Sequence, residues 1–279
     1  MLLVLGFIGG CQSSHVSSSQ VDGPPQQGMK EFANDKEFHA AHTMRDAGHV
    51  DLHGKDIEIP VADGKARAYW TAPSEGHKQC VLMVHEWWGL NDNIRETADK
   101  LNTEEGYGVL AIDLYDGKVA KNADEAGKYM AAVNDEKASA TIEAALKAIE
   151  SGVEGSAPCT EIGTIGFCFG GGWSHRAAIL GGDSVKACVV FYGMPSTSPS
   201  DLERLKAPVL FVAAKKDKWI NSGVVNGFKT AMDKAGKQFQ LEEYDADHAF
   251  ANPTSQSYDG PASKDAWSKT FAFFKKNLG

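Results

Sequence analysis

The chain has 279 residues, 42% of them hydrophobic and 23% charged, enough for one large globular domain with a sizeable core. Its 37 acidic against 28 basic side chains give a formal net charge of -9. Phosphate backbones call for clustered Lys and Arg, so this balance excludes nucleic acid as a partner.

Residues 1–28 comprise an apolar run ending at Ile8-Gly9-Gly10-Cys11 and a tract rich in Ser, Gln, Gly and Pro. Such a composition cannot form a packed core and reads as a signal-like segment with a flexible linker. The run is too short to span a bilayer. The small residues before Cys11 resemble a bacterial lipoprotein signal, although no basic residue precedes the run. That resemblance implies export to the periplasm and lipidation of Cys11, with membrane contact only through this anchor.

Residues 29–54 read as an N-terminal extension with a helix around Asp35 to Met44. His39, His42 and His49 invite a metal reading, but no carboxylate pattern completes a ligand set. They are expected to be surface residues, and no metal or other cofactor is expected.

The remaining chain, residues 55–279, reads as one domain. Two alternating runs flank Ala62-Asp63-Gly64-Lys65 and predict a β-hairpin. "CVLMVHE" is a continuous apolar run, the pattern of a strand buried on both faces. "NDNIRETADKLNTEEG" begins with capping residues and ends at Gly106, a helix, and "YGVLAIDLY" is again a buried strand. Strand, helix, strand implies a parallel pair with a crossover. Helical patterns follow in "NADEAGKYMAAV" and "DEKASATIEAALKAIESG", with Asn122 and Glu125 at capping-box spacing. Strands at "EIGTIGF", "KACVVFYG", "APVLFVAAKKD" and "QFQLEEYD" then alternate with helices at "GGWSHRAAIL", "SGVVNGFKTAMDKAG" and "SKDAWSKTFAFFKKNLG". This is a doubly wound, mostly parallel α/β sheet with helices on both faces.

Functional groups in open parallel sheets gather beyond the carboxyl ends of the strands. Glu86, Cys168, Asp217 and His248 all fall there. Gly166-Phe167-Cys168-Phe169-Gly170 has nucleophile-elbow spacing with cysteine in place of serine. Its glycines permit a strained turn, and the helix that follows aims its N–H groups at the sulfur. A thiol needs a base and the base an orienter, which His248 and Asp217 supply in the chain order nucleophile, acid, histidine.

These motifs, with "HEWWGLNDNIRETADKLNTEEGYGVLAIDLYDG" and His248-Ala249-Phe250-Ala251, resemble the dienelactone hydrolase family of α/β-hydrolases from about Lys55 to Leu278. The resemblance implies an α/β-hydrolase fold and a cofactor-free hydrolase of a small ester or lactone, acting through an acyl-enzyme on Cys168. It gives Glu86 the role of helping generate the thiolate, and the backbone N–H groups of Phe169 and Trp87 that of an oxyanion hole. The family holds its substrate's carboxylate with an arginine four residues after the histidine and a second from the helical segment. Here Asn252 occupies the first position, and residues 116–150 contain no Arg; Lys118, Lys121 and Lys128 lack the two-pronged geometry. Trp87, Trp88, Tyr115, Tyr192, Trp219 and Phe250 suggest an aromatic pocket instead, with Asn252 at its edge.

Cys80, Cys159 and Cys188 precede three strands that this fold sets side by side, and a Cys80–Cys159 bridge is the expectation there. A monomer is expected. Two competing readings keep the fold: an envelope-attached binding protein without turnover, and a redox-sensing thiol.

Overall fold

Runs of aliphatic residues bounded by turn sequences build the centre of the molecule. β3 (Gln79–Val84), β4 (Gly108–Ile112), β5 (Glu161–Phe167), β6 (Val185–Phe191) and β7 (Val209–Ala214) are buried along nearly their whole length. Both faces of each strand are covered, which is why these segments lack alternation. The computed structural model describes residues 25–45, 48, 51–62 and 64–279. It joins these strands with β1 (Lys55–Val61), β2 (Gly64–Thr71) and β8 (Phe239–Tyr244) in one sheet of order β1-β2-β4-β3-β5-β6-β7-β8. β1 and β2 form the expected hairpin, with Val61 opposite Gly64; Asp63 lies outside the described residues. β2 is antiparallel to β4, and every later pairing is parallel.

The longer helices are α3 (Asp92–Glu105), α4 (Ala123–Ala132), α5 (Asp135–Ser151), α6 (Phe169–Gly181) and α8 (Ser222–Lys234), which lie between strands, and α9 (Gly260–Leu278), which follows the last strand. α5 and α6 pack together on the sheet, while α3 and α9 pack against it through separate contacts. Five of the six start on a side chain that accepts from the first-turn backbone: Asn91, Asn122, Asn134, Asn221 and Asp259. Each such cap contributes about 1 kcal/mol. The exception is α6, whose N-cap position is Cys168 and carries no side-chain cap. A short helix between β6 and β7, α7 (Pro199–Arg204), is not apparent in the hydrophobic pattern because it spans little more than one turn.

The N-terminal extension is ordered on the domain surface. α1 (Pro25–Lys30), a 3-10 turn (Glu31–Asn34) and α2 (Lys36–Ala41) precede the sheet. α1 begins three residues before the boundary expected at residue 28 and packs against α6, with Met29 fully buried in the core. Cys11 and His49 lie outside the described residues.

Cys80 in β3 and Cys159 just before β5 are joined by a disulfide, with their Cα atoms 5.8 Å apart. Cys168 and Cys188 are free and buried. The bridge closes a loop with a sequence separation of 79, and constraining the unfolded chain to that extent stabilises by about 4 kcal/mol on a chain-entropy basis. The Cys80→Ser/Cys159→Ser double variant is expected to lose roughly that much in urea unfolding, and an unchanged midpoint and slope would contradict a bridge in the isolated protein.

Candidate active site

β5 ends at Phe167 and α6 begins at Phe169, so Cys168 alone makes the turn between them. Its backbone sits at φ 53°, ψ -119°, a conformation that costs a non-glycine residue about 1–3 kcal/mol. The flanking glycines make it achievable. A Cβ on Gly166 would lie 2.0 Å from the Gly170 carbonyl oxygen, and one on Gly170 would lie 2.3 Å from that of Val84. The turn can close only where both positions lack side chains.

Asp217 follows β7 and divides its two oxygens between two tasks. Oδ1 accepts from the backbone N–H groups of Trp219 and Ile220, both at 2.9 Å, while Oδ2 faces His248 Nδ1 at 2.5 Å. The backbone fixes the carboxylate, and the carboxylate fixes the ring. Burial opposes ionisation of Asp217, but His248 and these hydrogen bonds outweigh it and hold the carboxyl below its usual range. Burial likewise lowers the basicity of His248, yet the Asp217 and Cys168 charges prevail and raise it well above the ordinary value. With Nδ1 engaged, Nε2 is left to face the thiol, whose hydrogen bond also favours the protonated ring. A ring nitrogen of His248 and Cys168 Sγ lie within 4.8 Å.

Glu86, directly after the His85 that ends the β3 run, is also buried. Burial pushes its carboxyl up to about 7, against the opposing influence of His248 and Asn252. Oε2 accepts from Asn252 Nδ2 at 2.5 Å, and Oε1 has no partner among the described residues. The orientation of Asn252 is set by its own oxygen, which accepts from the Thr254 backbone N–H and hydroxyl, both at 2.8 Å. Asn252, expected at the substrate pocket, is thus also a fixed support for Glu86.

The aromatic residues divide into two groups. Tyr192 lies 5.1 Å from the His248 ring and Trp219 6.4 Å, edge-on. Trp87 stacks near Trp88 at 4.9 Å, and Tyr115 packs 5.7 Å from Phe169. Phe250 is fully buried, as are Trp87 and Tyr192, and packs between Tyr192 and Tyr244. Phe169 is the first residue of α6, so its N–H has no acceptor within the helix; Trp87 follows Glu86 in the adjoining loop.

The extension supplies two site residues that the sequence reading missed. Phe38 in α2 is fully buried against Trp87 at 4.8 Å, Trp219 at 5.0 Å and His248 at 6.0 Å. His42, at the C-cap of α2, was expected at the surface but is 6% exposed and lies 4.7 Å from the His248 ring. Burial and the charge of His248 push its basicity down to about 3, so it is neutral at physiological pH. The signal was the i, i+4 spacing of Phe38 and His42, which puts both on one helix face. His39 stays at the rim, bonded to Asp124 and to the Ala33 carbonyl oxygen.

An eight-stranded, mostly parallel sheet of this order, with cysteine, aspartate and histidine grouped beyond its strand ends, defines an α/β-hydrolase. The chain belongs to the dienelactone hydrolase family, which it matches over residues 66–278, and it is a carboxylic ester hydrolase. It is 34% identical to "Protein usf" of Aquifex pyrophilus over 233 residues, covering 81% of this chain and 99% of that one. It is 31% identical to a putative carboxymethylenebutenolidase of Aquifex aeolicus, covering 81% and 99%. The crystal structure of a putative dienelactone hydrolase from Klebsiella pneumoniae superposes with a TM-score of 0.71 at 25% identity, covering 81% of this chain and all of that one. The family match begins at residue 66, so α1 and α2 lie before it.

Replacing Gly170 by Ala sets a methyl group against the Val84 and His85 carbonyl oxygens. The expected loss is about 3 kcal/mol or more of folding stability, read by urea unfolding, because backbone cannot give way as a flexible side chain can.

Proposed function

We propose that the protein hydrolyses a small ester or lactone through an acyl-thioester on Cys168. The observation that carries this reading is the Cys168 thiol on its strained turn beside His248, whose far nitrogen is held by Asp217 at 2.5 Å. His248 Nε2 takes the thiol proton, and an ionised Glu86 favours the imidazolium that results. The sulfur attacks the carbonyl carbon, a C–S bond forms, and the electron pair moves to the carbonyl oxygen. The Phe169 and Trp87 N–H groups are assigned to that developing charge, at about 3 kcal/mol for one donor. Collapse breaks the C–O bond, and the leaving oxygen takes the proton from His248. Water then attacks the thioester while His248 accepts its proton, and collapse releases the acid and the thiol.

The surroundings favour an uncharged substrate. The position at which the family carries a carboxylate-binding arginine is Asn252, and its amide is committed to Glu86. Tyr192, Trp219 and Trp87 offer aromatic faces around His248, suited to an aryl or unsaturated acyl group. The apolar run before Cys11 supports export and attachment through a lipidated Cys11, and the Cys80–Cys159 bridge fits an oxidising compartment.

Cys168→Ala is expected to lower kcat/KM for small activated aryl esters by about ten-thousand-fold, the scale on which members of such triads act. Retention of parental rates would reject the nucleophile. The pH profile gives an independent check on Glu86. Ionisation of a carboxyl at about 7 should make kcat/KM rise as pH passes through that value. Glu86→Gln should remove this limb, whereas a rise that persists in the variant assigns it to another group.

A further inference from the structure

Three side chains from separate parts of the chain bring a soft-metal donor set to one point. Cys168 Sγ, a ring nitrogen of His248 and a ring nitrogen of His42 all lie within 4.8 Å of one another. In each histidine Nδ1 is already engaged, with the Asp217 carboxylate in one and with the Phe38 carbonyl oxygen at 2.6 Å in the other. The two Nε2 atoms are left over. Both rings are more than nine-tenths buried; His42 Nε2 has no partner among the described residues, and His248 Nε2 meets only the Cys168 thiol.

A buried polar atom without a partner costs free energy, so such atoms in a native fold call for a ligand or a function. Carboxylate and carbonyl groups behind the imidazoles are the supports that metal-ligating histidines carry, because they fix the ring and direct the free lone pair. A thiolate with two imidazoles suits zinc and its tetrahedral relatives and not the hard cations magnesium or calcium. Ligand bonds of about 2.0 Å to nitrogen and 2.3 Å to sulfur put tetrahedral corners about 3.5 Å apart. Side-chain rotations that close the widest separation by roughly 1 Å complete the site. Among the described residues of the extension, His42 is the histidine that takes part.

We propose that Cys168, His42 and His248 form a zinc-class cation site that pins α2 across the catalytic thiol and holds the hydrolase inactive. Entry of the cation forms one metal–sulfur and two metal–nitrogen bonds, replaces three of its waters, and releases to solvent the proton shared by Cys168 and His248. A fourth position keeps a water. Inhibition rests on the reading of Cys168 as nucleophile; the cation site itself does not.

The test uses the full chain, titrated with cobalt(II) chloride as a spectroscopic stand-in and then with zinc chloride. The parent is expected to bind one cobalt per chain with the visible spectrum of a thiolate-ligated tetrahedral ion, and zinc should displace it. Cys168→Ser should lose the thiolate-to-cobalt band. His42→Gln should weaken binding by at least about tenfold, the lower end of what losing even a supporting partner costs. Ester hydrolysis by the parent should fall on zinc addition and return with EDTA. Absence of a tetrahedral cobalt spectrum, or equal affinity in His42→Gln, overturns the site. Full hydrolysis by Cys168→Ala overturns the nucleophile and with it the inhibition, while the cobalt spectrum still decides the cation site.

Discussion

The backbone at Cys168 is the constraint around which the site is assembled. A side chain held at positive φ between a buried strand and a helix cannot relax into either element, so its sulfur stays beyond the carboxyl end of β5, near the centre of the sheet, where the loops after β3, β7 and β8 meet. The cost is met by surroundings that leave no alternative: Gly166 and Gly170 let the turn close on itself, and the Cys168 N–H is held by the Phe191 carbonyl oxygen at 3.0 Å. Giving this position to cysteine also leaves α6 without the side-chain cap that the other longer helices have. Its first N–H groups remain available to an incoming negative charge.

Two carboxylates near the thiol are driven in opposite directions by their environments. Asp217 receives two backbone N–H groups and an imidazole, and stays ionised. Glu86 has one amide donor and an unpartnered oxygen in a fully buried setting, so its ionisation sits near neutrality. Burial alone does not separate them, since both are almost completely inaccessible. The number of donors does, leaving one carboxylate ionised across the ordinary pH range and the other titrating near neutrality.

Most of the architecture was legible in the sequence because the relevant signals are local. Continuous apolar runs marked the parallel strands, Asn caps marked the helices, and the glycine spacing marked the turn at Cys168. The elements that escaped are those whose meaning is set by distant partners. α7 is too short to show a period, and α2 looks like a polar surface helix until its Phe38–His42 face meets Trp87, Trp219 and His248. Asn252 was placed near the substrate by position alone, and only the Thr254 contacts show that its amide points at Glu86. Composition identified the aromatics, and their full burial at Trp87, Tyr192 and Phe250 reflects contacts with distant partners that no local pattern carries.

The bridge between Cys80 and Cys159 lies at the opposite end of β3 and β5 from the chemistry, about 20 Å away along strands of this length. Those two neighbouring strands are the ones that lead to Glu86 and to Cys168. They pair in register from Gln79 with Glu161 to Val84 with Gly166. A covalent tie at the foot of the pair fixes their alignment, and a slip of one residue would turn every side chain to the other face. The spacing between a carboxyl group and a sulfur atom at one rim is thus referenced to a bond at the other, so the rigidity of the catalytic gap is a property of the whole strand pair.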